Sequence, residues 1–97
     1  MTKKQRDKIT TAIYKESVKL GLYAPKIRRD GFCRVGETWR DCVECGEVYS
    51  DYWLVTIFND GTFQIGWLKL DNVVGTCLVT EKVNNIEDVY SFLAKQR

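Results

Sequence analysis

Between Lys4 and Leu20 the apolar and small residues fall at Ile9, Ala12, Ile13, Ser17 and Leu20, the three-and-four spacing of one helix face, with lysine and arginine on the rest. The spacing predicts a helix that ends at Gly21, because glycine readily takes the left-handed conformation that follows a last turn. The next stretch, "LYAPKIRRDG", reads as a connector: Pro25 bars a continuing helix, and Asp30-Gly31 favours a turn.

From Phe32 onward the period changes from helical to alternating. The clearest unit is "YWLVTIFNDGTFQIGWLKL", two alternating runs around Asn59-Asp60-Gly61, residues that tolerate the positive φ of a tight hairpin turn. Trp53, Val55 and Ile57 then share one face of the first strand, and Phe63, Ile65 and Trp67 share one face of its partner. A further strand is expected at Val73 to Thr80, and others at Phe32 to Thr38 and Val43 to Tyr49. The chain closes with a helix capped by Asn85, with Glu87 and Asp88 in its first turn and Ile86, Val89, Tyr90 and Leu93 as its apolar stripe. The expected fold is α+β: an N-terminal helix, an antiparallel sheet of about four or five strands with a central hairpin, and a C-terminal helix. Both helices are expected on one face of the sheet.

With 97 residues the chain is read as a single domain, 1–97. Apolar residues make up 44% and there is one proline, which supplies a core and argues against a disordered composition. No apolar run approaches the roughly 20 residues that span a bilayer, so no membrane partner is expected. The start, "MTKKQRDK", does not resemble a secretory signal, and the expected location is cytoplasmic.

Charge changes the picture more than composition does. The net charge of +2 conceals a basic N-terminal part, in which residues 1–29 carry nine basic side chains against Asp7 and Glu16. The remainder carries six basic against eleven acidic side chains, with acids concentrated between Asp30 and Asp60.

The candidate chemistry starts from "CVECG". A C-x-x-C-G stretch suits a zinc knuckle, with the glycine allowing a sharp turn after the second thiolate. There is no histidine, so a structural zinc site would need all four thiolates, Cys33, Cys42, Cys45 and Cys77. Only one close pair exists, and the favoured reading is therefore reduced thiols packed as small apolar groups, with no cofactor and zinc as the alternative. Disulfide or dithiol redox chemistry ranks third, because "DCVECGE" is acidic and strand-like, which raises a thiol pKa.

Absence of histidine also removes the commonest general base and the Ser-His and Cys-His dyads, and neither "GTFQIG" nor "GFCRVG" has phosphate-loop spacing. The chain is not expected to be an enzyme. Two binding readings follow. In the first, Glu44, Glu47, Tyr49, Asp51 and Tyr52, near Trp39 and Trp53, form an acidic aromatic surface for a larger protein or complex. Inhibition of, or an accessory role on, a nucleic-acid-processing machine is the nearest analogy. In the second, Lys4, Lys8, Lys15 and Lys19 line one side of the first helix and, with Arg28 and Arg29, contact nucleic-acid phosphates. The first is preferred, because a whole-chain pI near 8.4 is modest and the acidic remainder repels phosphate.

Overall fold

The structure, a computed structural model, describes residues 1–34 and 42–97. Helix α1 spans Lys3–Lys19 and is followed by β1 (Lys26–Arg34), β2 (Cys42–Tyr49), β3 (Trp53–Phe58), β4 (Phe63–Asp71), β5 (Gly75–Val83) and α2 (Ile86–Ala94). The strands form one antiparallel sheet in chain order, β1-β2-β3-β4-β5. This is the expected α+β arrangement, with five strands.

A capping box starts α1: the Gln5 N–H donates to Thr2 Oγ1 at 3.2 Å, and the Thr2 N–H donates to Gln5 Oε1 at 2.8 Å. Its buried side is Arg6, Thr10, Ile13 and Ser17, so the stripe is rotated from the expected one and leaves Ala12 exposed. Gly21, at φ +73°, follows the helix end as expected. Helix α2 is capped by Asn85, whose Oδ1 accepts from the Asp88 N–H at 2.9 Å. Its buried residues are Val89, Phe92 and Leu93, with Ile86 and Tyr90 half-buried beside them.

The hairpin register places Trp53 opposite Trp67, Val55 opposite Ile65 and Ile57 opposite Phe63, while Val48 of β2 lies opposite Val55. Residues paired across an antiparallel ladder share a face. That face meets Ile13 of α1 and Val89, Phe92 and Leu93 of α2 in a single core cluster. Each such side chain contributes roughly 1.5–3 kcal/mol by leaving water. Both helices therefore pack on one face, α1 over β1 to β3 and α2 over β4.

Two strand boundaries differ from those expected. Strand β1 begins at Lys26, inside the stretch read as a connector, and a register shift between Arg28 and Gly31 accommodates one extra residue in β1. As an edge strand it contributes only Ile27 to the core periphery, so no apolar alternation marks it in the sequence. Residues 35–38, assigned to the same strand from the sequence, lie outside the described residues. Strand β5 runs from Gly75 to Val83, and Val73 and Val74 sit in the preceding turn although their β-branched side chains favour a strand.

Gly46 has a different role from the one its place in "CVECG" suggested. It lies within β2, and a Cβ there would overlap Thr10 of α1. The missing side chain lets the helix backbone approach the sheet. Thr10 is held in place by donating its hydroxyl to the Arg6 carbonyl at 2.8 Å.

The fully buried Arg6 joins α1 to three other parts of the chain. Its guanidinium donates to Asn59 Oδ1 at 3.0 Å, to the Arg29 carbonyl at 3.2 Å and to Asp30 Oδ1 at 3.4 Å. Glu44 and Asp7 carboxylates lie at 3.8 Å. Burial of this cation is offset by several charge-assisted contacts at once.

Candidate functional site

The acidic aromatic residues are not gathered into one patch. Along β2, Glu44 lies on the helix-covered face beside Arg6, whereas Glu47 and Tyr49 lie on the opposite face. Glu47 accepts from Arg28 Nη2 at 3.2 Å, and the Lys26 ammonium sits 6.0 Å from the Tyr49 ring centroid. Asp51 and Tyr52 occupy the β2–β3 connection, where the Tyr52 ring is 6.2 Å from that of Tyr23. The charges of Glu44 and Glu47 are thus already answered by neighbouring arginines. Trp39 lies outside the described residues, and Trp53 is a core residue.

The cysteines are also dispersed. Cys33 and Cys45 are joined by a disulfide between β1 and β2, with a Cα–Cα distance of 6.1 Å, in place of the reduced thiols expected for them. Cys42 and Cys77 are free and half-buried. The C-x-x-C spacing falls in a strand, where residues three apart point to opposite faces, so Cys42 and Cys45 diverge. Cys77 lies on β5, at the far edge of the sheet from β1. The four thiols of the zinc alternative are therefore not brought together, and no cluster of three or more candidate ligands occurs among the described residues.

The lysines of α1 do converge. At 100° per residue, Lys4, Lys8, Lys15 and Lys19 fall within about 60° of helix circumference and span about 22 Å of its axis. All four are exposed. Arg29 lies beside them, its Nε donating to Thr11 Oγ1 at 3.1 Å, whereas Arg28 is on the opposite face of the sheet with Glu47. Among the described residues, none of the four lysines belongs to an ion pair.

A second surface was not singled out from the sequence. Pairing between β3 and β4 ends at Trp53–Trp67, but β4 and β5 stay paired to Asp71–Gly75 and so form a two-stranded arm beyond the sheet. Leu68 pairs with Leu78 on one face of this arm, followed by Leu70, with Val73 and Val74 at the tip. These five are exposed by 42%, 53%, 75%, 91% and 72% in that order. The tip is structured: Asp71 Oδ1 accepts from the Val73 N–H at 2.7 Å and the Val74 N–H at 3.1 Å. Those two bonds hold the Asp71 carboxyl below its ordinary pKa, the Val73 bond most strongly. A signal was present in "LKLDNVVG", where two valines follow a turn-forming Asp-Asn pair.

A cleft of about 480 Å³ lies between α2 and the β4–β5 pair, with Trp67, Phe92, Asp88 and Lys95 among its walls. Asp88 and Lys95 are exposed, so the cleft offers no buried polar group to orient a ligand. None of the described helices is long and apolar enough to cross a membrane. No protein-family model matches this chain, and no curated protein or solved structure shows significant similarity to it.

Proposed function

We propose that this chain is a non-enzymatic protein-binding module that docks on a larger protein through the β4–β5 arm. The observation carrying this reading is the concentration of exposed apolar side chains, Leu68, Leu78, Leu70, Val73 and Val74, on one hydrogen-bonded hairpin. Exposed apolar clusters of this kind mark interaction sites, and a preformed turn lowers the ordering cost of binding. The partner chemistry that fits is an apolar groove able to enclose a narrow two-stranded ribbon. The acidic aromatic residues are a less favoured docking surface, because they occupy both faces of β2 and Glu44 and Glu47 already face arginines.

The test is a photocrosslinking residue at Val73 combined with affinity capture, using the doubly substituted Val73→Asp/Val74→Asp protein as the comparison. Capture and crosslinking that disappear in the Asp variant, with an unchanged circular dichroism spectrum, support arm docking. Capture that survives in the Asp variant but fails after Glu44, Glu47 and Asp51 are reversed to Lys returns the binding surface to the acidic segment. Light scattering on the purified protein identifies a second copy as the occupant if it reports an arm-dependent dimer.

A further inference from the structure

We infer that the exposed strip of α1 is a binding site for the phosphate backbone of duplex nucleic acid, separate from the arm. Four exposed lysines, none of them ion-paired among the described residues, project from one helix within about 60° over about 22 Å, a length over which a duplex carries roughly 13 phosphate charges. The arrangement provides charge without base-reading groups, and so predicts sequence-independent binding.

Two other partners match the strip less well. Protein interfaces are depleted in lysine at their centres and rely on aromatic or arginine anchors, whereas this strip is flanked by Thr11 and Ala12. A helix lying on an anionic membrane inserts an apolar side, but the apolar side of α1 is already packed against the sheet through Ile13. Asp7, which lines the same surface as Lys4, Lys8 and Lys15, is half-buried with its carboxylate 3.8 Å from the Arg6 guanidinium, so its repulsion of phosphate is reduced. Arg29, braced on Thr11, adds a fifth cation at the side of the strip.

The experiment is fluorescence anisotropy of two unrelated labelled 20-base-pair DNA duplexes, titrated with the full chain at 50 to 200 mM salt. The strip variant carries Lys4, Lys8, Lys15 and Lys19→Gln; the control carries Lys26, Lys69, Lys82 and Lys95→Gln, with the same net charge. Wild type and control are expected to bind both duplexes alike, losing about 100-fold in affinity over that salt range, as about four phosphate contacts require. The strip variant is expected to lose most binding at low salt and nearly all of the salt slope, with its helical circular dichroism retained. Equal losses in strip variant and control would reduce the effect to net charge and overturn the site, as would absence of wild-type binding at 50 mM salt. Strip-dependent binding to phosphatidylserine vesicles without binding to either duplex would overturn it in favour of a membrane surface.

Discussion

One strand belongs to two different environments. In the first half of β4, Phe63, Ile65 and Gly66 are buried between β3 and β5 under the helices, while from Leu68 to Asp71 the same strand is exposed. Leucine occurs in the second half as isoleucine and phenylalanine do in the first, so apolar character alone does not distinguish them. The difference is first one of face, since Phe63 and Ile65 point toward the helices whereas Leu68 and Leu70 point to the opposite side of the strand, and then of neighbours, since β3 pairing ends at Trp67. Core residues gain sheet and helix contacts on several sides, whereas arm residues have one partner strand and water. A two-stranded ribbon is marginally stable alone, so apolar side chains on it contribute little to folding and remain available for a partner.

The largest separation between the two regions is expected from truncation. Ile57→Ala, in the core, should lower unfolding free energy by about 2–5 kcal/mol, whereas Leu70→Ala should stay within about 0.5 kcal/mol. Urea denaturation measures both, and comparable losses would show that the arm is part of the folding core.

Next come the devices that hold the helix-covered region together. Loss of the Cys33–Cys45 bond, through Cys33→Ser with Cys45→Ser, should cost about 2–3 kcal/mol, since the bond closes a short loop across 12 residues of sequence. Calorimetry of the variant, alongside mass spectrometry of alkylated wild type, checks the cost and the pairing. Amide exchange in β4–β5 beyond Trp67 should be barely altered by this change, because local openings there do not depend on β1–β2 pairing. Gly46→Val should cost about 1–3 kcal/mol, because the new side chain collides with Thr10 and lifts α1 from β2. Uniform destabilisation of arm and core by Gly46→Val, seen in hydrogen exchange, would erase the distinction between them.

The smallest effect is confined to the tip. The Asp71 carboxyl is held below its ordinary value by the amides it accepts from, so its support of the turn is complete above the unfolded aspartate pKa of roughly 3.9 and fades as pH falls through the lower folded value. Nuclear magnetic resonance should show the Val73 and Val74 amides titrating with a midpoint below roughly 3.9, while core amides remain unchanged in that window. Asp71→Asn should remove the transition. A midpoint at or above the ordinary value would mean that the turn bonds do not form in solution.

The sequence by itself determined the class of the fold, because its signals are local. Helical spacing in α1, the Asn85 cap, and the alternating runs around Asn59-Asp60-Gly61 each act through nearby backbone, and the paired faces of β3 and β4 follow from strand alternation. The convergence of Lys4, Lys8, Lys15 and Lys19 was legible for the same reason, since one helix fixes their relative directions. Tertiary structure decided whatever depends on neighbours distant in sequence. Strand alternation alone sets Glu44 and Glu47 on opposite faces, but it was tertiary structure that answered them with Arg6 and Arg28, paired Cys33 with Cys45 across two strands, and set Gly46 under Thr10. It also ended β3 before β4 and β5 ended, which left Leu68, Leu70, Val73, Val74 and Leu78 on a two-stranded arm with no third strand beside it. Burial depends on which elements arrive from elsewhere in the chain, and hydrophobic pattern records only the side a residue faces.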